Sequence, residues 1–428
     1  MIADAFEALA SEREQLERAC ALLDVSPAVR EFLSYAVREF KVTLPVRMDD
    51  DSIRLFHACR VHHNDARGPC AGGIRLHPQA TNDRIRALAM RMTWQCATVD
   101  IPLGGAAGCV VCDPHDLSRR EQERLCRGLV RRLGTNIGPR RDVPSPDIMT
   151  SSQHIMWMTD EYEAMRSEHA NGVMSGKPVT LGGSASRREA PGFGLVFTLR
   201  EALRLLDIKP TGTTASIQGF GAVGQNAAKM YQQIGGTVVC VACWNQFDQM
   251  AYSFYKKEGI DIDELASITN YFGEIDKDRA ADLGCEVLAD DAWLSQDVDI
   301  LIPAAFETQI AEENVSGIRD SVKLVAEGAT AAITPGAAET IGERGIFHIP
   351  DAIANAGGIV CSYFEQVQSD SNYYWSADEV LGKLDVKLTE AFHAVQHISE
   401  RRKLSMREAA QVIAVDRVAR ACQERGWV

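Results

Sequence analysis

Between Phe6 and Leu23 apolar residues recur at helical spacing with charged residues between them, which predicts an opening amphipathic helix. The period then changes. From Lys41 to Val61 apolar and polar residues alternate on either side of Asp49-Asp50-Asp51, and that pattern predicts a β-hairpin. Ala87–Cys96 is mostly apolar and reads as helix. It lies between two glycine-dense stretches, GPCAGGIRLHP at Gly68–Pro78 and PLGGAAGCVVCDP at Pro102–Pro114. Ser118, followed three residues later by Glu121, is a capping-box signature that opens a helix ending near Gly134. A further helix is predicted over His154–Met165.

In the second half, a short β-rich run from Thr213 enters Gly219-Phe220-Gly221-Ala222-Val223-Gly224. An alanine-rich helix follows, and a second β run ends at Cys243. A G-x-G-x-x-G match carries weight only in this strand–turn–helix–strand setting, where it marks a Rossmann element. Val298–Pro303 and Val322–Glu327 supply further strands, so a doubly wound parallel sheet is predicted. Helices over Asp378–Glu400 and Ser405–Glu424 close the chain.

Composition narrows the partners. With a net charge of -14 the 428-residue chain lacks the basic footprint that nucleic acid or an anionic membrane requires. No apolar run reaches the roughly 20 residues of a membrane helix, and Met1–Gln15 does not read as a secretory signal. Twelve cysteines without such a signal read as reduced thiols, and the expected location is the cytoplasm. Cys109 and Cys112 form a C-x-x-C with His115 close behind. Cys240 and Cys243 form another, but on a predicted strand they point opposite ways. Buried thiols are the expected reading of both, with no metal site.

The glycine-rich stretches together resemble the substrate-pocket segment of the glutamate/leucine/phenylalanine/valine dehydrogenases, and the glutamate dehydrogenases most of all. GPRRDVPSPDIMT at Gly138–Thr150 resembles that family's aspartate loop, with Asp147 in place. GKPVTLGGSASRREAPGFG at Gly176–Gly194 resembles its domain junction, and DAIANAGGIVCSYFEQ at Asp351–Gln366 its segment after the cofactor domain. The resemblance implies an α/β fold of two domains. A substrate and oligomerisation domain would span 1–190 and a Rossmann-like nucleotide-binding domain 191–350, with 351–428 returning to the first domain. It also implies a hexamer and NAD or NADP as cofactor.

Three lysines of the family pattern are matched here by Ala71, Gln95 and Ala107. The resemblance implies that the lysine at 107 would act as acid/base with Asp147. The lysine at 95 would hold the α-carboxylate. The lysine at 71, with Ser362, would hold the distal carboxylate of glutamate. Alanine cannot titrate, and losing one such catalytic group costs on the order of 10²–10⁴ in rate. Gln95 can donate hydrogen bonds but carries no charge. A dianion buried without a cation pays a large desolvation cost. The usual glutamate reaction is therefore not expected. Asp147 is read either as a residual acid/base or as a structural loop carboxylate. Arg75 and Arg187 either form surface salt bridges, the commoner role, or turn inward to replace lost charge.

On the cofactor side the strand end reads Ala242-Cys243-Trp244-Asn245, with Cys243 where an acid would hold the adenosine ribose. Pro191 and Phe193 replace the threonine and arginine of the family's A-T-G-R-G, and Thr330 replaces the asparagine of its E-G-A-N. Gly219, Gly221 and Gly224 are read either as a phosphate-approach loop at a helix N-terminus or as strand–helix packing. Three functions follow as expectations. The first is a non-catalytic, regulatory partner in a homo- or hetero-oligomer, with an active paralogue. The second is a repurposed enzyme acting on a less charged substrate in the same pocket. The third is a sensor that holds a small molecule there.

Overall fold

The computed structural model describes residues 2–270, 273–289 and 292–428. They form two units: 2–187 with 359–381 and 411–428, and the described residues of 188–358 with 382–410. The C-terminal stretch does not group as one block with the first unit, as the sequence reading expected, because 382–410 packs with the second.

The first unit opens on α1 (Ile2–Leu23) and α2 (Pro27–Leu33), then the hairpin β1 (Arg38–Arg47) and β2 (Ile53–Asn64). It continues with β3 (Cys70–Leu76), α3 (Asn82–Thr98), β4 (Gly104–Val110), α4 (Arg119–Leu133), β5 (Asp142–Pro146) and α5 (Ser152–Arg166). The sheet order is β1-β2-β4-β3-β5. β1, β2 and β4 pair antiparallel, whereas β4, β3 and β5 pair parallel. The capping box forms as the spacing predicts: Ser118 accepts from the Glu121 N–H, and Glu121 accepts from the Ser118 N–H at 2.8 Å. The face carrying α4 and α5 closes over a core that includes Leu44, Phe56, Leu76, Leu125, Leu129 and Ile155.

The second unit begins with α6 (Ala190–Leu205), β6 (Thr214–Gln218), α7 (Ala222–Gln233), β7 (Thr237–Asn245) and β8 (Met250–Tyr255). Next come α8 (Ile262–Ser267), α9 (Lys277–Asp282), β9 (Glu286–Ala289), β10 (Ile300–Pro303) and β11 (Leu324–Ala326). The chain then runs through α10 (Pro335–Glu343), β12 (Phe347–Ile349), α11 (Asp351–Ala354), α12 (Gly357–Ser371), α13 (Ala377–Arg402) and α14 (Met406–Glu424). Sheet order is β12-β11-β10-β6-β7-β8-β9, parallel through β7 and antiparallel at the β8–β9 edge. This is the doubly wound arrangement expected, extended at one edge by a hairpin because β7 runs past Cys243 to Asn245 and turns back. Among the described residues no helix is long and apolar enough to cross a membrane.

Candidate functional site

In the first unit β3 and β4 run side by side with Ala71 opposite Gly105 and Arg75 opposite Cys109. Alternation along each strand therefore puts Ala71, Gly73, Arg75, Gly105, Ala107 and Cys109 on one face. Helix α3 closes that face. A Cβ on Gly105 would lie 2.1 Å from the Thr93 nitrogen and 2.5 Å from the Ala89 carbonyl oxygen, so only glycine lets the helix come so near. Ala71 and Ala107 are buried, and Ala107 packs with Val61, Ile85 and Ala89. Gln95 lies half-buried in the last turn of α3.

Asp147 follows β5 and sits over Gly73, where a Cβ would come within 2.5 Å of the aspartate Cβ. Arg75 donates to it twice, from Nε at 3.0 Å and Nη2 at 3.3 Å. The Ile148 N–H also donates to Oδ1, and the Asp147 N–H donates to Thr150 Oγ1. Arg75 is thus not a surface residue. It is only 6 % exposed, because the alternation that buries Ala71 and Gly73 carries it onto the same face. The two charges that the sequence singled out separately neutralise each other.

Beneath the glycine pair lies a network that sequence reasoning missed. Arg60, on β2, donates to both Asp142 oxygens at 2.8 and 2.6 Å, and to the carbonyls of Gly72 and Gly73 at 3.1 and 2.8 Å. His62 Nε2 meets Asp142 Oδ2 at 2.8 Å. All three side chains are almost completely buried. Burial alone would raise the Asp142 carboxyl, but the Arg60 guanidinium and His62 hold it below its ordinary range. The available signal was RVHHN at Arg60–Asn64, four polar residues in five positions of an otherwise internal strand.

The cysteines do not pair as their spacing invites. Cys109 lies 3.4 Å from Cys59 across the β2–β4 ladder. Cys112 lies instead in the core that includes Cys126. Among the described residues no three His, Cys, Asp or Glu side chains converge as a metal site.

Ser362, on α12, accepts from Arg187 Nε at 3.2 Å, so this arginine too turns toward a residue singled out for the pocket. One turn on, Glu365 takes the buried Lys177 Nζ at 2.6 Å and the Gly176 and Lys177 N–H groups at 2.9 and 3.3 Å. This second buried pair ties the junction segment to α12, and the sequence reading did not foresee it.

In the second unit the three glycines are not equivalent. Gly219 leaves β6 with φ +88°, and its Cβ would lie 2.7 Å from the Ala304 carbonyl oxygen. A Cβ on Gly224 would strike the Gly219 carbonyl oxygen at 1.9 Å. Both are demanded by packing. Around Gly221, at the N-cap of α7, a Cβ would meet nothing within 4 Å. Gly221 thus has an open side at a helix start, where N–H groups favour an anion, while Gly273 packs close to its backbone nitrogen.

Of the other positions read for the cofactor, Cys243 is buried and accepts the Ile275 N–H at 3.4 Å, and burial pushes its thiol up to about 11. Trp244 beside it is 53 % exposed. Pro191 lies in the first turn of α6. Thr330 Oγ1 accepts from Asn355 at 3.1 Å. Just before it, Glu327 is completely buried and takes His348 at 2.8 Å, Arg407 and the Ile333 N–H. Burial opposes its charge, but Arg407 and His348 prevail and hold the carboxyl down at about 2.

Comparison with known proteins gives one consistent answer. The family description "Glu/Leu/Phe/Val dehydrogenase, dimerisation domain" matches residues 37–164, and "Glutamate/Leucine/Phenylalanine/Valine dehydrogenase" matches 182–426. The chain is 40% identical over 415 residues to an NAD-specific glutamate dehydrogenase of Clostridioides difficile, covering 97% of each chain. It resembles the crystal structure of glutamate dehydrogenase from Peptoniphilus asaccharolyticus, with TM-score 0.85 and 34% identity, covering 98% of this chain and 100% of that one. It also resembles a hetero-hexameric glutamate dehydrogenase from Thermus thermophilus in a Leu-bound form, with TM-score 0.88 and 32% identity over 96% of this chain and 95% of that one.

Proposed function

Since the chain belongs to the Glu/Leu/Phe/Val dehydrogenase family, we propose that it is a glutamate-dehydrogenase-like subunit that no longer performs the usual glutamate reaction. It serves as a non-catalytic, regulatory member of an oligomer that also contains an active paralogue. The observation that carries this is the residue set Ala71, Gln95 and Ala107 in the frame of the family's pocket lysines, two buried methyl groups and one uncharged amide. Arg75, a cation on the same face, is already spent on Asp147. A dianionic amino acid would have to give up its hydration with little returned.

In this reading the first unit supplies the substrate pocket and the oligomer contacts, with Ser362 as a former pocket residue, and the second supplies a weakened nucleotide site. Gly221 leaves room for a phosphate, while Cys243, Pro191 and Thr330 lack the groups that hold NAD in the family pattern. NAD or NADP is therefore retained at reduced affinity or lost. The hetero-hexameric assembly of the Thermus relative supports a mixed assembly here. Its Leu-bound form supports an amino acid as the small molecule.

Purification of a tagged chain from its own cells tests the reading. A second dehydrogenase subunit is expected to come with it. Recovery of this chain alone, active on L-glutamate, would overturn the proposal.

One observation favours a second reading. Arg75 is buried against Asp147, a cation and a carboxylate side by side on the pocket face, and this supports residual chemistry on a less charged amino acid. Progress curves over amino acids, 2-oxo acids and aldehydes, with Asp147→Asn as the control, separate the two. Turnover that this substitution abolishes would favour the enzyme.

A further inference from the structure

A hollow of about 450 Å³ opens in the first unit, away from the face that carries Asp147. Its lining includes Arg38, Arg140, Arg141 and Arg425 against a single acid, Asp65. Asp65 is already held by Arg38 at 2.7 Å. In a chain of net charge -14 this concentration of guanidinium groups runs against the overall balance.

The arginines are not all occupied. Arg141 donates one N–H to the Thr135 carbonyl at 2.8 Å, and Arg425 uses Nε on Ala66. Arg140 makes no hydrogen bond or ion pair among the described residues. A guanidinium has five N–H donors in a planar fork that matches carboxylate and phosphate oxygens, so most of the donor capacity here is unused.

A second, independent observation comes from His62. Its ring lines the hollow, it is only 1 % exposed, and Asp142 takes its Nε2. Its Nδ1 is buried with no partner. A buried polar atom left unpaired costs about 1–3 kcal/mol unless a ligand or water meets it. The ring of Phe40 stands edge-on to it at 5.2 Å and gives the hollow one apolar wall.

We propose that this hollow is a binding site for a small organic polyanion, one bearing phosphoryl or several carboxylate groups. The arginines hold the anionic groups, and His62, with its Nδ1 unpartnered, forms part of the wall. The volume suits a metabolite-sized ligand. The site also has a physical route to the glycine pair: His62 is bonded to Asp142, Asp142 to Arg60, and Arg60 to the carbonyls of Gly72 and Gly73. Occupancy would thus be felt beneath the face that carries Ala71 and Arg75. The proposal rests on this geometry alone and stands whether or not the chain has lost its family activity.

Titration calorimetry of the full chain with pyrophosphate and with citrate, using acetate as a monoanionic control, tests it. Either polyanion is expected to bind with a Kd of about 1 mM or tighter, to weaken with added salt, and to exceed acetate. Binding of pyrophosphate alone identifies a phosphoryl ligand, and binding of citrate alone a polycarboxylate. The double substitution R140E/R141E changes two exposed side chains, and unchanged thermal unfolding confirms that the fold is kept. It should weaken binding at least about tenfold, the loss expected for charge-assisted hydrogen bonds. Absence of binding by both polyanions, or affinity unchanged in the double variant, overturns the proposal. Unchanged affinity would place the ligand elsewhere, for example at the Gly219–Gly224 turn.

Discussion

In the first unit the space above Gly73 is filled by the side chain of Asp147, which Arg75 holds in place. In the second, the space above Gly221 is open, although the glycines on either side of it in the motif are packed tight. Two glycine-rich turns of one chain have thus taken different courses. One has closed around an internal ion pair. The other keeps its opening, with Cys243 buried and Trp244 exposed at the end of the neighbouring strand. A glycine that persists in a motif says only that a Cβ does not fit or is not wanted, and what lies in the vacant volume decides between packing and binding.

The largest effect should come from the support beneath the first turn. Arg60→Met leaves Asp142 buried without its main cation and two carbonyls without a donor, and should cost about 3–5 kcal/mol in chemical denaturation. A loss below about 1 kcal/mol would show that the network does not hold the glycine pair.

The corresponding buried acid of the second unit, Glu327, makes a pH prediction. Its carboxyl lies at about 2 when folded, below the ordinary 4.5, so the stabilisation is present above about pH 4.5 and is lost as pH falls toward 2. Glu327→Gln should be less stable than the parent by on the order of 3 kcal/mol near neutrality. That gap should narrow across the same acid window. Parallel curves of stability against pH would contradict the assignment.

Alanine at the two contrasted glycines tests the comparison itself. Gly73→Ala drives a methyl group into Asp147 and should cost about 1–3 kcal/mol, measured by thermal or denaturant unfolding. Gly221→Ala adds a methyl group in open space at an ordinary φ of -76°, and should change stability by less than about 0.5 kcal/mol. If NADH or NADPH raises the melting temperature of the parent, this small change should diminish the shift. Equal stability costs at both glycines would erase the distinction.

Much of this was legible in the sequence because it depends on period and spacing. The β1–β2 hairpin, the capping box at Ser118 and the Gly219 turn are all local patterns, and each formed where its residues indicated. Ala71, Ala107, Arg75 and Asp147 were singled out in the sequence; the β3–β4 register puts the first three on one face, and Asp147 lies over Gly73. What stayed hidden was pairing at a distance. Arg60 with Asp142, Lys177 with Glu365, and Glu327 with Arg407 each join residues about eighty or more positions apart. Nothing in the local alternation says which buried charge meets which.

The account stands on the consequence of Ala71, Gln95 and Ala107 for catalysis, and one measurement reaches it directly. Progress curves of purified chain with L-glutamate and either NAD or NADP, followed by absorbance of the reduced nucleotide, should show no turnover above the enzyme-free control. Reduction at a rate near that of ordinary glutamate dehydrogenases would contradict the account and make this chain a working member of its family.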